Sequence, residues 1–201
     1  MIIHEMEQGS EAWFAVKLGH VSASKAKIAM GGKGKTRDRL KYGLIEEIRK
    51  QERRDSFKTP AMSNGIELEP LGREYYSDIM GVEVKQVGFV ELNEYVGVSP
   101  DGLIGEDGLL ELKCPITPTH ISYIDKDILP IEYKEQVYMQ LWVTGRKWCD
   151  IVSFDPTWED KMLWRLRVER DEKEIAKVEV KINEFVTEMT DLIDKMKNTS
   201  F

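Results

Sequence analysis

The sequence predicts an α/β fold, with a central mixed β-sheet flanked by helices. Three observations carry that prediction. The chain has 201 residues, 41% hydrophobic and 32% charged, enough for the core of one domain and too apolar for global disorder. Apolar residues recur at helical spacing up to residue 80 and again near the C-terminus. Between those stretches the period drops to two and β-branched residues gather. Helices, then strands interrupted by a helix, then a closing helix make a layered α/β arrangement.

Each element has its own signal. Residues 10–18 and 22–30 read as short helices, the second with Ser22 or Ser24 as N-cap. Gly31, Gly32 and Gly34 break the chain into a loop. Residues 36–53 are helical, with Leu40, Leu44, Ile45 and Ile48 along one face. Ile66 to Met80 forms another helix, with Glu67, Glu69 and Pro70 in its first turn. Val82 to Phe89 alternates and reads as a strand. A second strand ends at Gly97-Val98-Ser99, and Leu109 to Lys113 is a third, reached through the turn-rich segment Pro100 to Gly108. Residues 131–143 are a helix, 148–154 a strand, Asp155-Pro156 a turn and 162–168 another strand. Residues 171–197 form a long amphipathic helix whose stripe runs from Ile175 through Ile182 and Phe185 to Met196. There is no internal repeat and no low-complexity linker, so one domain is expected over 1–201. Its parts are a basic helical region 1–64, a core 65–170 and a C-terminal helix 171–197.

Composition narrows the function. The formal charge is −7, which taken alone argues against a nucleic-acid partner. The charge is unevenly spread, however. Residues 17–58 carry 13 Lys and Arg against 5 acids, or +8, leaving −15 elsewhere. A solvated lysine-rich helical face would give the same count. No stretch approaches the roughly 20 apolar residues needed to span a bilayer. The acidic start MIIHEMEQGSEAW has no basic n-region of a secretory signal. Cys114 and Cys149 cannot build a disulfide framework and stand at no zinc-ligand spacing, so a reducing cytoplasm is expected.

The chemistry concentrates in Ser99-Pro100-Asp101-Gly102, followed after nine residues by Glu111-Leu112-Lys113. In a strand, Glu111 and Lys113 point to one side and Leu112 to the other. A turn through Gly105 to Gly108 folds the strand ending near Asp101 beside the strand carrying Glu111. Two carboxylates and an ammonium then share one patch. Carboxylate oxygens suit Mg²⁺ or Mn²⁺, and such an ion lowers the pKa of a bound water beside a phosphodiester. Lys113 would hold the attacking water and neutralise developing charge, or serve as base if nearby cations lowered its pKa. A hairpin with a surface Glu–Lys pair is the plainer reading of the same spacing. Pro100 and Gly102, and the apolar run around Glu111, favour a built site.

SPDG followed by GLLELKCP resembles the PD-(D/E)XK nuclease signature, with its restriction-endonuclease-like core. More narrowly, the chain resembles the lambda exonuclease and YqaJ-type viral recombinase family. The resemblance spans most of the chain. It covers Glu7-Gln8-Gly9 with Ala12-Trp13, Leu18-Gly19 through Val21-Ser22-Ala23-Ser24, and Gly65 through Glu69. Beyond the SPDG and LELKCP pair it includes Gln136-Val137-Tyr138, Leu141 through Thr144, Asp155-Pro156 and Val168 through Lys173. It implies a Mg²⁺-dependent exonuclease, with Mn²⁺ as a substitute and two ions per site. Such an enzyme degrades one strand of linear duplex DNA from 5′ to 3′ and leaves a 3′ tail for phage-type recombination. It further implies Asp101, Glu111 and the main-chain carbonyl of Leu112 as metal ligands, Lys113 as catalytic lysine and Glu69 as an accessory acid. Lys17, Ser24, Ser99 and Gln136 match positions around the terminal phosphate. At Lys17 the family pattern usually has Arg, which weakens the expected grip on a 5′-phosphate. A homotrimer around DNA, a phage single-strand-annealing protein as partner and the cytoplasm of a bacterial host complete what the resemblance implies.

Other signals carry less. Ala29 to Thr36 fits a relaxed phosphate-binding loop, but follows a helical segment where that loop needs a strand. His4, His20 and His120 stand alone and read as structural or solvent-exposed. Trp142, Trp148, Trp158 and Trp164 read mostly as packing, and Cys114 as a small buried residue. Glu67 and Glu69 lie two apart on a helix, so only one faces the metal site, and the family pattern selects Glu69. Two readings compete with the exonuclease. One is a PD-(D/E)XK endonuclease cutting internally or at branches. The other is a catalytically silent module that binds DNA ends.

Overall fold

The computed structural model describes residues 1–53 and 60–198. Arg54, Asp55 and Lys58 of the basic stretch lie outside the described residues. The fold is mixed α/β, as the sequence predicts, but with two sheets in place of one. In the first, β4 (Phe89–Asn93) lies between β1 (Ile2–His4) and β5 (Val96–Val98), and β2 (Val21–Ser22) runs parallel to β5 at the edge. The second holds β3 (Val84–Lys85), β6 (Gly102–Ile104), β7 (Gly108–Lys113), β8 (Trp148–Phe154) and β9 (Leu163–Glu169), in that order. Only β7 and β8 pair in parallel there. A parallel pair needs a crossover. The chain supplies it with α5 (Thr117–Lys126) and α6 (Lys134–Thr144).

The other helices are α1 (Glu11–Val16), α2 (Ala26–Met30), α3 (Lys35–Lys50), α4 (Pro60–Met80) and α7 (Glu172–Asn198). Strand alternation sorts the second sheet into two faces. Leu109, Cys149, Ile151 and Val168 join the main core with α6 and α7. Leu110, Leu112, Val152 and Phe154 face Tyr76 of α4. Gly72 lets α4 lie close on this side, because a Cβ there would meet Leu112 Cδ2 at 2.9 Å. Helix α7 buries Ile175, Val178, Ile182, Phe185, Met189 and Ile193. Each such burial is worth about 1.5–3 kcal/mol relative to exposure. Asp171 Oδ1 caps the helix by accepting from Lys173 N at 2.8 Å.

Several expectations are corrected. Val82 to Phe89 is not one strand, since Val84–Lys85 belongs to the second sheet and Phe89 opens β4 in the first. The N-terminal segment fixes the crossing between them. Gln8 Nε2 donates to the Val87 carbonyl at 2.8 Å, and Gly88 N to the His4 carbonyl at 3.1 Å. A Cβ at Gly88 would stand 2.9 Å from that same oxygen. No strand ends at Asp101; the residue lies between β5 and β6, and β6 begins at Gly102. Pro100, lacking an N–H, sits in that crossing. Helix α4 starts at Pro60, before the expected Ile66, and α6 starts at Lys134, after Pro130 has begun a turn closed by Tyr133 N. Ser22 holds the N-cap position of a 3₁₀ turn at residues 23–25 but its side chain makes no cap bond, α2 itself starts after Lys25, and the Ser22 and Ser24 hydroxyls face each other at 3.2 Å. The working serine cap is Ser10, which accepts from Trp13 N at 3.2 Å. Strands β1 and β2 and helix α5 had no sequence signal of their own. No helix among the described residues is long and apolar enough to cross a membrane.

Candidate active site

The β6–β7 hairpin builds the site. It turns through residues 105–107, with Ile104 paired to Gly108 and Gly102 to Leu110. Beyond Leu110 the edge of β7 has no β6 partner, and Asp101 takes over, accepting from Leu112 N at 2.7 Å through Oδ2. In a strand, the N–H and C=O of one residue point to the same edge. The Leu112 carbonyl is therefore on the Asp101 side.

On the opposite face from Leu112, Glu111 and Lys113 stand together as alternation requires. Glu111 is 1% exposed. Its Oε1 accepts from Lys113 Nζ and from Gln136 Nε2, both in short contacts. Its Oε2 accepts from Gln140 Nε2 at 2.6 Å. The Lys113 ammonium also sits 5.0 Å from the centre of the Tyr133 ring. Burial works against its charge, but Glu111 and Asp101 outweigh that and raise its pKa. Both carboxylates thus favour the charged ammonium.

Helix α4 brings the third carboxylate. Glu69 is half-buried with Arg73 Nη2 at 2.6 Å, whereas Glu67 is exposed. Arg73 Nε also donates to the Asp101 carbonyl at 2.9 Å, tying α4 to the crossing. Burial raises the Glu69 pKa against the pull of Arg73, and nearby Glu111 adds to the rise. Burial, then Glu111, hold Asp101 well above the usual carboxylate range. The site thus places three carboxyls beside two cations, Lys113 and Arg73.

That imbalance is the test of fit for a metal. Among the described residues, no three His, Cys, Asp or Glu side chains converge as a ready-made cluster. The reason is visible at each acid. Glu111 is turned to Lys113 and two amides, Glu69 to Arg73, and Asp101 to a backbone N–H. The donor atoms are nevertheless all hard oxygens, and a dication would offset the burial that chiefly raises Asp101 and Glu69 together with the repulsion from Glu111 that adds to it. As oxygen donors the three acids have the chemistry that a hard divalent cation takes, though each now holds another partner.

The expected phosphate-side residues fall in two places. Lys17 and Ser24 line a cleft of about 560 Å³ with Lys25, Arg39 and Arg53. Lys17 Nζ lies 3.5 Å from the centre of the Trp13 ring. Burial, then Arg53 and Lys25, push its pKa down to about 7. Ser99 is outside the cleft lining but joined to it, since Trp13 Nε1 donates to Ser99 Oγ at 3.1 Å. Gln8 Nε2 holds the Pro100 carbonyl at 2.9 Å. Gln136 is on the metal side, at Glu111. Sequence reasoning assigned no role to Arg73, Gln140, Gln8 or Tyr133. The available signal was Gln140, a polar residue inside the apolar run of α6.

The groups set aside from chemistry stay aside. His120 is fully buried between Ser153 Oγ and the Lys161 carbonyl, at 2.7 and 2.8 Å. Burial, with Glu69 and Asp101 nearby, pushes the half-buried Cys114 thiol up to about 12. Trp164 is buried, with its Nε1 donating to Asp127 at 2.8 Å. The glycine loop lies between α2 and α3, so no strand precedes it as a nucleotide loop requires.

A model of the YqaJ-like viral recombinase domain matches residues 12–147. The chain is similar to an alkaline exonuclease, LHK-Exo, from Laribacter hongkongensis, at 36% identity and a TM-score of 0.87, covering 94% of this chain and 96% of that one. The same enzyme in complex with dAMP matches at 37% identity and a TM-score of 0.88. A phage-related exonuclease from Haemophilus somnus, 14% identical with a TM-score of 0.66, shares the fold. An uncharacterised protein of Acanthamoeba polyphaga mimivirus is 26% identical across 79% of this chain, a match that spans 32% of that longer protein.

Proposed function

The chain belongs to the YqaJ-like viral recombinase domain family, and we propose that it is a Mg²⁺-dependent exonuclease acting on the ends of linear duplex DNA. In this reading it removes one strand from 5′ to 3′ and leaves a 3′ single-stranded tail for phage-type recombination. The observation that carries it is β7 itself, where Leu112 N donates to Asp101 and Lys113 holds Glu111, with Glu69 of α4 within electrostatic reach of Glu111 and Lys113.

Asp101, Glu111, the Leu112 carbonyl and Glu69 would hold the metal, as two ions per site. Mg²⁺, or Mn²⁺ in its place, supplies a bound water of lowered pKa and neutralises charge at the scissile phosphate. Lys113, protonated beside Glu111, donates to phosphate oxygens as negative charge grows on them. Ser24, Ser99, Gln136 and Lys17 hold the terminal phosphate so that the next phosphodiester lies over the carboxylates. The chain acts as one nuclease domain over 1–201, assembled as a homotrimer around DNA. It works in the cytoplasm of a bacterial host with a phage single-strand-annealing protein.

The test is digestion of linear duplex in Mg²⁺, labelled at 5′ or 3′ ends in parallel. Early release of the 5′ label as mononucleotide is expected, with closed circles left intact. Asp101→Ala and Lys113→Ala should each reduce cleavage at least about 10³-fold without unfolding the chain. Cutting of closed circles would replace the reading with an endonuclease. Binding of ends with no cleavage in Mg²⁺ or Mn²⁺ would replace it with a silent end-binding module.

A further inference from the structure

Gln140 is fully buried on α6, between Met139 and Leu141, which are buried as well. A residue placed there for packing alone would be apolar. Its Nε2 donates to Glu111 Oε2 at 2.6 Å, while its own Oε1 is buried without a hydrogen-bond partner. The amide gives up satisfaction of one end to hold a carboxylate with the other. Gln136, one helical turn earlier, holds the other oxygen of the same carboxylate. Each carboxylate oxygen has about two acceptor sites. Lys113 and Gln136 fill both on Oε1, whereas among the described residues Oε2 has Gln140 alone. The acceptor site left open on Glu111 is therefore on the oxygen that Gln140 fixes.

We infer that Gln140 is a positioning residue: it sets the rotation of the Glu111 carboxylate and presents Oε2 to a divalent cation. The inference rests on reading Glu111 as a metal ligand. Gln140 itself touches neither substrate nor metal. Its contribution is that Glu111 need not be ordered when the ion arrives, which is how hydrogen-bonded partners of a ligand tune affinity.

The experiment measures Mn²⁺ affinity of the full chain without DNA, from the electron paramagnetic resonance signal of free Mn²⁺. Gln140→Met should weaken binding about 10-fold while the chain stays folded, because loss of the unpaired Oε1 offsets part of the bond lost to Glu111. The Mg²⁺ concentration for half-maximal cleavage should rise by a similar factor, with a smaller change in rate at saturating Mg²⁺. In a Glu111→Gln background, adding Gln140→Met should change Mn²⁺ affinity less than about twofold, since coupled residues are not additive. Should Gln140→Met fold poorly, Gln140→Leu gives the same comparison. Unchanged Mn²⁺ affinity in the single variant overturns the inference, as does an equal loss in both backgrounds, which would mark a packing role. Wild-type protein that binds no Mn²⁺, or Glu111→Gln with unaltered affinity, sinks the metal-site reading beneath it.

Discussion

At Lys17 an ammonium stands where an arginine would grip a phosphate with two parallel bonds. Its position over Trp13 is buried and crowded by Arg53 and Lys25, which push its pKa down to about 7. The sign follows directly. Below that pH Lys17 is charged and would attract a 5′-phosphate; above it the free enzyme loses that charge. Bound phosphate pulls the pKa back up, so the loss belongs in kcat/KM, which reports the free enzyme, more than in kcat. The ratio of kcat/KM on 5′-phosphate over 5′-hydroxyl duplex should therefore fall from about pH 6 to about pH 9. Lys17→Arg, which keeps its proton throughout, should give a larger and flatter ratio. A ratio of one at every pH would remove Lys17 from phosphate reading. Asp101, Glu111 and Lys113 were legible in sequence because strand alternation puts Glu111 and Lys113 on one face and the turn brings Asp101 alongside. Arg73 was not, because an Arg four residues after a Glu looks like any helical surface pair until the fold shows it reaching the Asp101 carbonyl.

Between elements, the α3–α7 contact is held by one charged clamp. Arg37, 6% exposed, reaches both oxygens of Glu188 at 2.6 and 3.1 Å and the Ala29 carbonyl at 2.9 Å. Lys41 adds a bond to Glu188 at 3.2 Å. The Arg37 hydrogen bonds hold the Glu188 carboxyl down at about 2. A carboxyl lowered on folding stabilises above its unfolded value and loses that contribution as pH falls through the folded one. The window here is from about pH 4.5 down to about pH 2. Glu188→Gln should cost about 1–3 kcal/mol at pH 7, measured by urea unfolding. The gap to wild type should narrow at about pH 3. Equal stabilities at pH 7 would show that the clamp contributes nothing. The long helices and β8 were legible from periodicity. Strands β1 and β2 were not, because two or three residues contain no period. Their pairing is decided by partners far along the chain, such as Val21 with Val96.

For the whole molecule, net charge misleads. The total is −7, yet residues 17–58 carry +8 and the rest −15. Folding gathers part of the positive share into the cleft lined by Lys17, Lys25, Arg39 and Arg53, next to the crossing that presents Asp101. The acidic share includes Glu69, Asp101 and Glu111, which the proposed metal ions would neutralise. Elsewhere it includes solvent-facing pairs such as Lys181 with Glu184 on α7. DNA would thus be attracted at one face and repelled over much of the remainder. Each phosphate neutralised by a protein cation adds about one to the slope of log affinity against log salt. With Ca²⁺ in place of Mg²⁺, so that ends bind with little cleavage, Lys25→Ala and Arg39→Ala should each weaken binding and lower that slope by about 1. Lys181→Ala, on α7 and outside the cleft lining, should leave both unchanged. A slope that ignores Lys25 and Arg39 but responds to Lys181 would put the DNA on the wrong face for Asp101. It would separate the basic cleft from the chemistry that the β6–β7 hairpin builds.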